Sequence, residues 1–186
     1  MTEPARSAEA EALRRRLPDD ALDAQTAALA APIVPADGDP LALLVFHVGG
    51  ERFGLPAASV ERIFMPAPVR RVPHRSHPAF RGLIAHEGEI VLAASIERLL
   101  DLQPRSETSL PGRRFIMLGP AGRGWAFEVD RVEGVLTVSR GALRPAPMTI
   151  ARGKGTASRM LAVVDGGEVA LLDPEALRAG WEVAAA

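Results

Sequence analysis

Arg81-Gly82-Leu83-Ile84-Ala85-His86-Glu87-Gly88-Glu89-Ile90-Val91-Leu92-Ala93-Ala94-Ser95-Ile96-Glu97-Arg98-Leu99-Leu100 is the stretch whose reading decides the fold. Leu83 to Ala85 and Ile90 to Ala94 are short apolar runs, and the polar His86-Glu87-Gly88-Glu89 between them has the composition of a hairpin turn. Gly88 supplies a positive φ without a Cβ penalty. Ser95 offers its hydroxyl as the N-cap of a short helix with Ile96, Leu99 and Leu100 on one face. The expectation is strand, turn, strand, helix, with both strands apolar enough to be buried on two sides.

Working outward, the same pattern recurs near the end of the chain. Met160 to Val164, Asp165-Gly166-Gly167, Val169 to Leu172 and a helix opening at Asp173-Pro174-Glu175 repeat it, with Gly180 expected to end that helix. The upstream segments repeat as well. Leu43 to Val48 is a dense apolar strand, Gly49-Gly50 a turn, Arg52 to Leu55 an alternating strand, Pro56 to Ser59 a helical turn and Val60 to Phe64 a further strand. At an offset of 72, Phe53 falls on Trp125, Leu55 on Phe127, Val60 on Val132, Ile63 on Val135 and Pro73 on Pro145. Met148 to Ser158 is a polar, glycine-bearing loop that lengthens the second copy. Two successive five-strand units predict an all-β fold of two small antiparallel barrels in tandem, since closure removes the edges of sheets this small. The first barrel is expected over residues 41–102 and the second over 112–184, with a polar boundary from Gln103 to Pro111.

Residues 1–40 differ in texture. Ala8 to Leu17 and Ala21 to Ala31 are helix-forming, and Pro32, Pro35, Gly38 and Pro40 make a linker. Isolated helices this short are marginal in water, so this extension is either a frayed tail or an amphipathic hairpin that docks elsewhere.

Composition narrows the function. No apolar run approaches the roughly 18–20 residues of a membrane span, and no basic-then-apolar leader is present, so a cytoplasmic location is expected. Cysteine is absent, which excludes disulfides, thiolate zinc and cysteine nucleophiles together. A net charge of −1 gives no general drive toward nucleic acid. Gly119 to Gly124 resembles a phosphate cradle but leads into a strand, not a helix, and is read as a hairpin turn. His74 and His77 lie in an arginine-rich loop with no carboxylate to complete a metal site, and contact with an acidic partner suits that loop better. No serine, carboxylate or histidine constellation points to catalysis, so neither enzyme activity nor a cofactor is expected.

Leu44-Val45-Phe46-His47-Val48-Gly49, Phe53-Gly54-Leu55-Pro56 and Val60-Glu61-Arg62-Ile63 resemble the start of a CheW-type chemotaxis coupling domain. Pro78-Ala79-Phe80-Arg81-Gly82-Leu83-Ile84, Val129 to Leu136 and Leu143-Arg144-Pro145-Ala146-Pro147 extend the resemblance to about Leu41–Trp181. It implies two SH3-like five-stranded barrels and a non-catalytic adaptor. Such an adaptor joins the cytoplasmic tip of a methyl-accepting chemoreceptor to the regulatory domain of a CheA-type histidine kinase, together with other CheW-like proteins, in arrays beneath the membrane. The N-terminal extension is similar to that of the second coupling protein of Wsp-type surface-sensing pathways. The expected partner-binding residues are Arg62, Phe80, Arg81, His86, Glu87 and Gly88. The family usually carries Asn-Leu-Arg-Gly at the turn occupied here by Ala85, His86, Glu87 and Gly88, and its arginine helps to engage partners. Glu87 reverses that charge, which implies a dedicated partner set. The alternative expectation is a nucleic-acid-binding double barrel that uses the Arg70–Arg81 loop.

Overall fold

β1 (Pro40–Val48) is the most apolar strand because it is sandwiched between two others and covered on both faces. A computed structural model describes residues 39–103, 112–119, 124–146 and 158–185, all within one compact unit, Ala36–Ala186. The helices expected within residues 1–40 and the loop expected over 148–158, save Ser158 itself, lie outside the described residues.

Gly49 and Gly50, both at positive φ, turn β1 into β2 (Glu51–Pro56). A 3-10 turn (Ala57–Ser59) leads to β3 (Val60–Phe64). β4 (Phe80–His86) and β5 (Glu89–Ala94) form the hairpin read from the sequence, and α1 (Ile96–Leu99) follows. The Ser95 hydroxyl accepts from the Arg98 amide at 3.4 Å, as an N-cap should. The second copy comprises β6 (Arg114–Leu118), β7 (Trp125–Val129), β8 (Arg131–Ser139), β9 (Arg144–Pro145), β10 (Ser158–Val164), β11 (Gly167–Leu172) and α2 (Pro174–Ala185).

The strands form a six-stranded sheet, β8-β1-β2-β11-β10-β9, and a five-stranded sheet, β3-β6-β7-β5-β4. The architecture is all-β with two barrels, as expected. The spans 41–102 and 112–184, however, do not each close a barrel of their own. The β1–β2 hairpin is completed by β8 to β11, and the β6–β7 hairpin by β3 to β5, so the two copies exchange their first hairpins.

The duplication is visible in the hydrogen-bond register. Val60↔Leu118 and Ile63↔Ile116 between β3 and β6 become, at an offset of 72, Val132↔Phe46 and Val135↔Leu44 between β8 and β1. Each ladder skips one residue, Glu61 in β3 and Glu133 in β8, at the same place. β4 and β5 map onto β10 and β11 at an offset of 78, and their ladders skip Arg81 and Arg159. The parallel contacts correspond too: Leu92↔Trp125 matches Ala170↔Phe53.

Alternation then sorts the side chains into three apolar clusters. One barrel encloses Phe115, Met117, Ile84, Val91 and Ala93, and the other encloses their counterparts Leu43, Val45, Ala162, Val169 and Leu171. The intervening residues, Leu44, Phe46, Ile116 and Leu118, face the shared core with Phe53, Trp125 and Phe127. Phe46 lies 5.9 Å from Phe127 and 6.2 Å from Phe53 between ring centroids. Each fully buried ring contributes about 2–3 kcal/mol, so the shared core is the principal adhesive between the barrels.

Two expectations are corrected. Ile90 is 72% exposed and β4 is an edge strand, so the β4–β5 hairpin is not buried on two sides along its length. Nor does Gly180 end α2, which runs on to Ala185 because Trp181 and Ala184 are buried in the shared core. Asp173 caps the start of that helix, its Oδ1 accepting from the Glu175 amide at 2.9 Å.

Candidate partner-binding site

The β4–β5 hairpin turns on two residues, Glu87 at φ 48° and Gly88 at φ 83°, with His86 paired to Glu89. Positive φ at both positions is the two-residue turn whose twist matches the strands, and glutamate is an uncommon residue to hold there. Its side chain explains the position. Glu87 Oε2 accepts from Arg62 Nη1, which reaches across from β3, the opposite edge strand of the same sheet. The His86 imidazole stacks on Phe64 of β3, with centroids 4.0 Å apart and planes 16° apart, and Phe64 stacks in turn on Phe115. The seam of this barrel is therefore closed at its end by one ion pair and one ring stack. Glu87 and Arg62 are 66% and 36% exposed, so the pair contributes no more than about 1 kcal/mol and remains available to a partner. Ile63, Met65 and Ile90, adjacent in sequence to this constellation or nearly so, are exposed apolar side chains.

Of the six expected residues, the structure brings four together: Arg62, His86, Glu87 and Gly88. Arg81 lies elsewhere. Six residues of extended chain put it roughly 20 Å from Glu87, and its Nη1 donates to Glu128 Oε2 at 2.8 Å while Arg113 Nη1 reaches Glu128 Oε1 at 3.4 Å. Phe80 is a packing residue, stacked on Trp181 at 5.9 Å, which stacks on Trp125 at 5.3 Å. A groove of about 780 Å³ runs past these tryptophans, between Ser59 and Glu61 on one side and Arg178 and Glu182 of α2 on the other.

A second charged cluster was not anticipated from the sequence. Glu133, the bulged residue of β8, accepts from Arg52 Nη2 at 2.7 Å and Nε at 3.2 Å, a bidentate pair, and is also bonded to His47 Nε2. Arg131 Nη2 approaches at 3.4 Å. The Arg52 hydrogen bonds, followed by that of His47, lower the Glu133 pKa to about 2. Arg52 also donates from Nη1 to the Val164 carbonyl at 3.2 Å, tying the cluster to the β10–β11 turn. The only sequence signal for it is positional, since Glu133 falls on Glu61 in the duplication while its partners come from a hairpin 81 and 86 residues away.

Residues 42–180 match the CheW-like domain. The chain belongs to the CheW-like domain family. Its fold is similar to that of the scaffolding protein TtCheW from Thermoanaerobacter tengcongensis, with a TM-score of 0.62 at 19% identity, covering 73% of this chain and 90% of that one. No curated protein matches the chain by sequence. Glu87 and Arg62 lie within the part of the chain that matches the CheW-like domain. Within the chain, Arg62 meets the charge that Glu87 brings to this turn. What the turn presents is a paired carboxylate and guanidinium.

Proposed function

We propose that this CheW-like protein is a non-catalytic adaptor that couples a chemoreceptor-type sensor to a histidine autokinase, working in the cytoplasm beneath the receptors. The observation that carries the reading is the duplication itself. An adaptor needs two binding surfaces, and the pseudo-twofold offers two related sheet edges, with Ile63 on β3 40% exposed and its counterpart Val135 on β8 58% exposed. Singly exposed apolar residues are common, but a matched pair on outer strands of two barrels suits two partners of related shape. Among the described residues no helix is long and apolar enough to cross a membrane, so attachment to a receptor array would be through protein contacts. Arg62 and Glu87 would set partner choice at the first edge, because a partner must either match or displace their ion pair. Nothing in the fold or the comparisons supports the nucleic-acid reading of the Arg70–Arg81 loop.

Co-purification with a CheA-type histidine kinase and a chemoreceptor from the same organism tests the proposal. Ile63→Glu and Val135→Glu should each remove a different contact while leaving the other. If neither kinase nor receptor is retained by the unaltered protein, the adaptor reading fails.

A further inference from the structure

Between Arg62 and His86 the chain carries no Asp or Glu, but it carries Arg70, Arg71, Arg75 and Arg81 together with His74 and His77. The fold does not spread these charges along a face. It gathers Arg71, Arg75, His77 and Arg81, with Ser76 and Phe80, around a depression of about 450 Å³. That volume suits a small molecule, whereas a flat stripe would suit a polymer.

The loop around the depression is fixed at several points. Arg70 and Leu83 exchange both backbone hydrogen bonds, at 2.7 and 2.8 Å. The approach is so close that a Cβ on Gly82 would meet the Arg70 carbonyl oxygen at 2.2 Å. The Arg75 amide donates to the Val72 carbonyl, and Arg75 Nη1 donates to the Ala185 carbonyl at the end of α2. His77 Nδ1 accepts the Ala79 amide at 3.2 Å, so a neutral His77 carries its proton on Nε2. Arg71 makes no ion pair among the described residues. Glu128 is bonded to Arg81 and shared with Arg113, so among the described residues the arginines around the depression outnumber the carboxylates beside it.

We infer that this depression is a binding site for a small phosphate-bearing anion. It is lined by arginines, a histidine and a serine, and among the described residues no acidic side chain lines it. The same lining rejects metal cations. Phe80 adds an aromatic surface at the rim, so a phosphate ester with a planar ring fits as well as free phosphate or pyrophosphate.

Isothermal titration calorimetry on the full chain tests this, with inorganic phosphate, pyrophosphate and adenosine diphosphate as probes at matched ionic strength in chloride. Saturable binding of at least one probe is expected. Arg71→Gln should weaken it about tenfold, the loss of one charge-assisted contact, with an unchanged circular dichroism spectrum because Arg71 is exposed. Tighter binding of the nucleotide identifies an esterified phosphate, and tighter binding of pyrophosphate a free one. The proposal is overturned if no probe binds, if Arg71→Gln and Arg75→Gln bind as the unaltered chain does, or if polyglutamate or bulk RNA competes more effectively than any phosphate probe.

Discussion

The ends of the two barrels began as copies and now differ in where they keep their charge. In the first, the hairpin turn Glu87-Gly88 carries an exposed ion pair to Arg62 and a ring stack beneath it. In the second, the equivalent turn is Asp165-Gly166, with the same positive φ values in kind, and Arg62 is replaced by Gly134. Its ionic cluster has moved one residue along, to the bulged Glu133, and is more deeply enclosed. The backbone geometry is common property, while the polar residues placed on it have diverged into a presented pair on one barrel and a structural hub on the other.

The largest expected effect breaks the equivalence at the bulge of β4. Gly82, at φ 140°, corresponds to Met160, and it must be glycine because Arg70 crosses over it. Gly82→Ala should cost about 3 kcal/mol, from strain and a displaced Arg70–Leu83 bridge, read as a lower urea midpoint. No such loss is expected for Met160→Ala beyond the roughly 2 kcal/mol of a partly buried methionine truncation.

Next in size is the hub. Glu133 is held near pKa 2 against an ordinary 4.5. Its folded pKa is depressed, so its contribution is complete above about pH 4.5 and is lost as pH falls toward 2. The shift sets a ceiling of about 3 kcal/mol, and screening at a site partly open to water brings the expected figure to about 1–2 kcal/mol. Glu133→Gln should therefore lower stability at neutral pH and flatten the acid limb of the stability profile. An unchanged acid limb would show that the carboxylate is not held by Arg52 and His47.

At the exposed pair the stability effect is smaller. A double-mutant cycle on Arg62→Ala and Glu87→Ala should give a coupling of about 0.5 kcal/mol. Exchanging the charges, Arg62→Glu with Glu87→Arg, should leave stability within about 0.5 kcal/mol while altering retention on the kinase. Stability without altered retention would reduce the pair to a solvated surface feature. The smallest effect concerns the turns alone. Asp165→Gly should stabilise by about 0.5 kcal/mol through relief of positive φ, whereas Glu87→Gly should gain less because it also loses Arg62.

Much of this was legible before any coordinates. The 72-residue offset, the hairpin, the caps at Ser95 and Asp173 and the strands all follow from local alternation and turn chemistry, which short windows carry. The hairpin exchange was not legible, for a physical reason. Leu43/Val45 and Phe115/Met117 present equivalent apolar faces, so either hairpin satisfies the pattern of either barrel. Gly180 misled because a glycine after an apolar stripe reads as a stop, and only the burial of Trp181 shows the helix continuing. In the candidate site, His86, Glu87 and Gly88 could be grouped because one turn holds them. Arg81 and Phe80 could not be placed, since Glu128 and Trp181, their partners, lie far away in sequence.

The hairpin exchange also bears on the order in which the molecule can be made. A ribosome that has delivered residues through Leu102 has released β1 to β5, yet no barrel can close, because each still lacks strands to be synthesised. The nascent chain must hold β3 and β5 as open edges until β6 and β7 emerge, and β1 and β2 must wait longer still for β8 and β11. Folding is thereby forced toward the end of translation, with the long loop closures that slow such topologies. Gene fragments corresponding to the two halves would be expected to recover the fold only when expressed together.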